Sequence, residues 1–391
     1  MAAGVAELPR GVALDRREVA GALADLGVLV PIAVVLIVSN GLSATAALLP
    51  AGLLYMCAAL TYGLPIPVQP LKAFGAIAIA KGLGVDVIAA GGMLMGLVFL
   101  VLARSGALDV AARAFPRALV RGVQLAVGLL FLKIAWGLVA DPPQAFATNA
   151  LSPEIALPLT AFVLAAAIAL RSRPVTIALV AAGIAIALAG AAPHLSAGPS
   201  AVSVPAMDAA AVWTALTLLV LPQIPLTFAN SCLATADAAR TYFGDRAAPV
   251  RPGRLATTLG SANVLAGTIG GMPVCHGAGG LTAHHAFGAR TAGAPLLMGA
   301  GLLVLALVAG SGLAALLAAF PLPILAGMLA AAGVLHIRLL RDLRGRWELS
   351  VAVAVGVVGV TINLALGLLL GLAAWWGWVL AARLRPAGAT G

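Results

Sequence analysis

Apolar runs long enough to span a bilayer recur along the whole sequence, and two of them are broken in the same way, about two hundred residues apart. The first break reads Leu64-Pro65-Ile66-Pro67-Val68-Gln69-Pro70-Leu71-Lys72. The second reads Gly270-Gly271-Met272-Pro273-Val274-Cys275-His276-Gly277-Ala278-Gly279-Gly280. Hydrocarbon offers no water to free N–H and C=O groups, so irregular backbone survives there only where protein or a water-filled cavity surrounds it. A matched pair of interruptions in the two halves of a chain points to a transporter's binding site.

With 62% hydrophobic and 9% charged residues, the chain cannot be a soluble domain. The runs lack the period-two alternation of a membrane barrel. The first run begins near Gly21, is long, and is followed by others, so it is not a signal peptide. Cys57, Cys232 and Cys275 lie in apolar surroundings, which argues against a disulfide framework or a metal cluster. No cofactor is expected.

The net charge of +10 would suit nucleic acid, but its distribution does not. The twenty arginines fall in, or at the mouths of, short loops that share one side of a membrane. This is the positive-inside pattern. It places both termini in the cytoplasm of a multi-pass plasma (inner) membrane protein with an even number of crossings.

The expected fold is an all-α polytopic membrane protein of fourteen segments. These lie near 21–40, 43–62, 67–83, 85–104, 117–140, 154–170 and 175–193, then 211–236, 254–270, 275–289, 293–317, 321–337, 348–365 and 366–383. Residues 1–20 form a cytoplasmic N-terminus, 21–193 a first repeat, 194–210 an extracytoplasmic linker and 211–385 a second repeat. Seven segments per half makes the halves inverted. Segments 3 and 10 are too short and too interrupted to be full spans, and read as half-helices.

Pro65, Pro67 and Pro70 forbid a continuous helix, and Pro70 can sit in the first turn of the next one. A helix N-terminus inside the membrane then offers free N–H groups and a positive dipole end to an anion. Gln69 adds an amide and Lys72 a charge. Pro273 breaks the second segment likewise. Cys275 reads as a packing residue and His276 as a donor to an anion or a group that changes charge. Gly277, Ala278, Gly279 and Gly280 let a ligand approach the backbone. Asp25 is ionisable within a span, with capping or an arginine partner as the alternative. Gln223 and Asn230 share a helical face. Asp237 has Arg240 as a prospective partner. Lys133 reads as a snorkelling residue, His284 and His285 as interface residues, and Asn363 as an interhelical hydrogen bonder. Phosphate loops, zinc-protease motifs and nucleophile elbows are absent, so an enzyme or an ATP-driven pump is not expected.

Three motifs, Pro65-Ile66-Pro67-Val68-Gln69-Pro70-Leu71-Lys72-Ala73, Pro222-Gln223-Ile224-Pro225-Leu226-Thr227 with Asn230 and Ala234-Thr235-Ala236-Asp237, and Met272 to Gly280, closely resemble the molybdate transporter family, a relative of the sulfate permeases. Gly21-Ala22-Leu23-Ala24-Asp25-Leu26-Gly27 fits as well. The resemblance implies a fold shared with sulfate and nucleobase permeases. In it, segments 1–4 and 8–11 form a core and 5–7 and 12–14 a gate, without a STAS domain. It places substrate between the half-helix N-termini, at Gln69, Pro70, Leu71, Lys72, Cys275, His276, Gly277 and Ala278, flanked by Asp25, Gln223 and Asn230.

Two converging helix ends supply roughly one unit of positive charge. With Lys72 they suit a dianion. The expected function is import of molybdate, and of tungstate or sulfate, by elevator-type alternating access coupled to protons or sodium, with a homodimer compatible with the small-residue faces. The alternatives are a sulfate or other oxyanion permease of the same fold, an anion channel, or a nucleobase permease. The last is disfavoured because neither half-helix entrance carries a carboxylate.

Overall fold

A computed structural model describes residues 12–106, 108, 116–170, 175–191 and 196–384. Of the arginines invoked above, Arg10, Arg113, Arg171, Arg173 and Arg385 lie outside these residues. The chain is predominantly helical. Its first half contains α1 (Arg16–Ala22), α2 (Leu26–Val38), α3 (Ala44–Tyr62), strand β1 (Gln69–Pro70), α4 (Lys72–Ala80), α5 (Val85–Ser105), α6 (Arg117–Ala140), α7 (Pro153–Ala169) and α8 (Val175–Ala191). Its second half contains α9 (Ala209–Ala247), α10 (Pro252–Thr268), strand β2 (Val274–Cys275), α11 (Ala278–Ala286), α12 (Gly293–Val308), α13 (Gly310–Ala318), α14 (Leu322–Arg338), α15 (Arg346–Val358) and α16 (Leu364–Leu384). Among the described residues six helices are long and apolar enough to cross a membrane, and eight when two bent pairs each count as one. At 1.5 Å per residue α4 and α11 are each about 13 Å long, under half the hydrocarbon thickness.

Three local features depart from the sequence expectation. The run expected as one span over 293–317 bends by 98° between α12 and α13. There Thr45 Oγ1 takes the Ala306 carbonyl at 2.6 Å, and a Cβ on Gly310 would lie 2.2 Å from the same hydroxyl. The helix therefore ends where a neighbouring backbone must pass. In α9, Pro222 and Pro225 cannot donate to the preceding turn. The chain answers with π-helical turns on either side, Ala215–Val220 and Thr227–Ala234. Finally, α15 and α16 form a hairpin closed by a π turn, Gly359–Asn363. A Cβ on Gly371 would meet the Val355 side chain at 2.4 Å, which is possible only if the two helices run back along each other. Asn363 caps the second of them, its Oδ1 accepting from Ala365 N at 2.7 Å, instead of bonding across helices.

The helices pack in two groups. In one, α5 lies on α10, α3 on α12, and α10 on α3. In the other, α6 lies on α14 and α15, α14 on α7, and α15 on α16. The groups meet where α4 and α9 touch α6 and where α2 touches α14. Lipid tails are as apolar as leucine, so close backbone approach at small residues drives such packing. Gly92 and Gly96 of α5 face Gly260 and Gly267 of α10. A Cβ on Gly96 would lie 2.6 Å from Val264 N, and one on Gly267 would lie 2.5 Å from Met93 N. These contacts are backbone and cannot yield. Gly96→Ile is therefore expected to cost about 1–3 kcal/mol or more by overpacking, read as a lower melting temperature in detergent. Gly377→Ala, with nothing within 4 Å of the new methyl, is expected to leave it unchanged.

Candidate functional site

The two broken segments meet. Their prolines leave both backbones extended, and β1 pairs antiparallel with β2, Gln69 opposite Cys275 and Pro70 opposite Val274. Leu71 N then donates to Pro273 O at 3.1 Å. On the other edge Asn263 of α10 closes the ladder: its Nδ2 donates to Val274 O and its Oδ1 accepts from Val274 N, both at 2.7 Å. Asn263 is fully buried and replaces a third strand. Peptide groups that would be orphaned in hydrocarbon are thus satisfied.

His276 belongs to this scaffold. It is fully buried, with Nδ1 2.9 Å from Pro67 O and Nε2 2.9 Å from Thr258 Oγ1. A carbonyl only accepts, so Nδ1 carries the proton and the ring ties one break to the other. Tyr62 packs edge-on against it and its hydroxyl reaches Thr258 at 2.8 Å. Both ring nitrogens are used, so His276 presents no donor to a ligand here. Cys275 is buried, its thiol 3.9 Å from Pro70 O.

The short helices begin at the crossing, and neither N-cap residue, Leu71 or Gly277, supplies a side-chain acceptor. They are not equivalent. At α4, Leu71 and Ala73 are buried and Phe74 N already donates to Gln223 Oε1 at 2.9 Å. Gln223 Nε2 donates to Thr227, so this residue, expected to face the ligand, is spent on holding α9 to α4. At α11, Ala278 is partly exposed and Gly279 exposed, with nothing within 4 Å of a Cβ built on Gly279. Lys72 and Asn230 are also partly exposed. A Cβ on Gly277 would lie 2.8 Å from Gln69 Oε1 and 3.5 Å from Asn230 Nδ2. The accessible donors therefore gather around the N-terminus of α11, with Lys72 reaching in from α4.

Behind them lies a buried acid. Asp25 sits in the turn between α1 and α2, and neither an arginine nor a helix end accounts for it. Its carboxylate accepts from Gln69 Nε2 at 2.5 Å and from Tyr55 OH at 2.7 Å, and His284 Nε2 lies 2.9 Å away. Gln69 Oε1 in turn accepts from Lys72 Nζ at 2.7 Å. A continuous relay thus runs from Lys72 through Gln69 to Asp25 and His284. Gly280 makes room for it: a Cβ there would stand 2.6 Å from both Asp25 Oδ1 and Gln69 Nε2.

His284 and Tyr55 were not legible as site residues. His284 is fully buried against Asp25, with Nδ1 unpartnered, not an interface residue. Its spacing from Gly277 and Gly280 puts all three on one helical face, and that was the available signal. Tyr55, one of three tyrosines in the chain, carried none. His285 stacks on Tyr242 at 4.3 Å. Asp237 is exposed and forms no ion pair with Arg240.

The sequence matches the family model described as molybdate transporter of MFS superfamily over residues 17–131 and 215–335. Molybdate transporter 1 of Arabidopsis thaliana is 28% identical, across 90% of this chain and 86% of that protein. The transmembrane domain of the cyanobacterial bicarbonate transporter BicA superposes with a TM-score of 0.63 at 18% identity, over 92% of this chain and 96% of that one. The murine Slc26a9 anion transporter, in its inward-facing state, gives 0.68 at 15% identity over 95% and 69%. These two likenesses establish the fold. The family match covers more than half of the sequence, and with it the chain is a membrane transporter and not an enzyme: it belongs to the molybdate transporter family.

Proposed function

We propose that the protein is a secondary transporter that imports molybdate by alternating access, and that the anion binds at the N-terminus of α11 between Lys72 and Asn230. The observation that carries this reading is the exposed first turn of α11 at Gly279, uncapped by any side chain, with the Asn230 amide close to Gly277. One helix end contributes about half a unit of positive charge and α4 a comparable amount. Lys72 brings the total near two, matching a dianion. Tungstate and sulfate share its shape and charge and are expected to compete.

The reading includes fourteen segments in two inverted repeats, 21–193 and 211–385, joined by an extracytoplasmic linker, 194–210. The packing supports it. Counting α1–α2 as segment 1 and α9 as segment 8, the contacts of segment 2 with 11 and of 9 with 4 are images of each other under exchange of the halves. So are those of 5 with 13 and of 12 with 6. Sidedness has support too. Arg121 pairs with Asp342, and Arg246 reaches Arg290 O at 3.0 Å, so arginine-bearing loops lie together. On the other side the linker's Ser200 bonds Ser43 and Thr45. Lys72, Asn230, Asp25 and α11 all belong to the core group, which suits an elevator in which site and core move past the gate as one body.

Importing a dianion against an inside-negative potential costs about 2.3 kcal/mol per charge per 100 mV, so cations must accompany it. Asp25 is the candidate carrier, and its surroundings favour a proton over sodium. Both oxygens face N–H or O–H donors, not the oxygen cage a hard cation requires. An anion that draws Lys72 from Gln69 frees the amide to turn, and Asp25 then loses one of the donors holding it as a carboxylate. Anion and proton binding are linked in this way.

Proteoliposomes containing the purified protein are expected to accumulate molybdate under an inward proton gradient; no uptake under any ion gradient overturns the reading. Gly279→Ala is expected to abolish molybdate binding while leaving the melting temperature unchanged or higher, since alanine is favoured over glycine in a helix by about 0.5–1 kcal/mol. Lys72→Ala is expected to lower affinity at least tenfold, the order of a lost charge-assisted hydrogen bond; unchanged affinity in both variants would remove the site. Asp25→Asn is expected to keep molybdate exchange while losing proton-driven accumulation, measured as internal acidification accompanying uptake.

A further inference from the structure

The chain contains three lysines: Lys72, Lys81 and Lys133. Lys72 starts α4 and belongs to the site above. Lys81 lies just past the other end of α4, about 13 Å away along the axis. Lys133 projects from α6, on the facing group of helices. Both line one pocket of about 90 Å³, together with Ile77, Ala80, Leu218 and Asn363. Both are exposed and neither takes part in an ion pair among the described residues. Snorkelling would account for either lysine alone, but not for two of them sharing a pocket in an otherwise apolar protein.

The polar side-chain atoms available there are donors. Lysine offers no acceptor. Asn363 Oδ1 is occupied by Ala365 N and Leu366 N, which leaves its Nδ2 as the donor end. The negative end of α4 is largely satisfied, because three of its last four carbonyls are already capped. Ile77 O, Ala78 O and Ile79 O accept from Lys81 N, Leu83 N and Gly82 N, and Asn40 Nδ2 also reaches Ala78 O. Two like charges in a shared site repel each other, and an anion between them removes the repulsion. The pocket's volume is about that of three waters, enough for a four-oxygen anion.

We propose that Lys81 and Lys133 form a second oxyanion site, an outer capture site on the linker side of the membrane that feeds Lys72 along the α4–α6 seam. The proposal rests on the transport reading and sidedness given above. α4 and α9 bring Lys81 and Leu218 from the core group, while α6 and the α15–α16 turn bring Lys133 and Asn363 from the gate. The pocket therefore straddles the seam across which the two groups would move.

The test is initial-rate uptake of external molybdate by cells expressing the full chain, for the wild type, Lys81→Gln, Lys133→Gln, Lys133→Arg and the double glutamine variant, at low and high ionic strength. Each glutamine variant is expected to raise KM about threefold to fivefold, the effect of one partly screened charge, with kcat unchanged. Lys133→Arg is expected to retain the wild-type KM. Added salt is expected to raise KM in the wild type and much less in the double variant, because the screened charges are gone. Unchanged KM in both single variants, or a fall in kcat at constant KM, overturns the outer site. If the wild type itself takes up no molybdate, the transport reading fails instead, and the two failures are distinguishable.

Discussion

Every peptide group placed in hydrocarbon needs a hydrogen-bond partner, and at two places in this chain proline removes the helical solution. The protein resolves both at once by making the two breaks partners of each other. The ladder is only two residues long on each side. It is completed by Asn263 acting as a side-chain strand and by His276 bonding back to Pro67. The proposed site hangs from this crossing. It holds Gln69 over Gly277 and Gly280, aims α4 and α11 away from a common point, and leaves the first turn of α11 open while Gln223 seals that of α4.

The two helix ends reached that point by different routes. α4 is sealed by Gln223 and carries a charge; α11 is open and carries glycine. The proposed site is therefore asymmetric: α4 would supply electrostatics and α11 an approachable backbone. In the proposed mechanism the hydrogen-bonded relay from Lys72 to Asp25 makes the asymmetry useful, because it links a partly exposed lysine to a buried carboxylate. Gly280 is the steric condition for that relay, since any Cβ at this position would occupy the space of the Asp25–Gln69 bond.

Much of the fold was legible because the membrane simplifies the reading. Apolar runs locate helices, arginine loops suggest sides, and proline pairs mark the breaks. The helices that failed to follow the runs did so for tertiary reasons. The bend between α12 and α13 depends on Thr45 and Ser200, distant in sequence. The turn at Gly359–Asn363 depends on Val355 fitting against Gly367 and Gly371.

For the proposed site, the sequence by itself determined the local chemistry from which it is built: a lysine in a helix's first turn, a glycine-rich N-terminus, and the absence of carboxylates at both entrances. It did so because those properties are local, set by backbone chemistry and side-chain charge. Only the tertiary structure decided how they are used. His276 and Gln223 became scaffold, since each of their polar side-chain atoms already has a partner within the protein. His284 and Tyr55 became the companions of Asp25, since three separate helices bring them within hydrogen-bond reach of one carboxylate. A hydrogen bond across 259 residues of sequence leaves no trace in any local pattern; it exists only because two broken segments had no other way to satisfy their backbones.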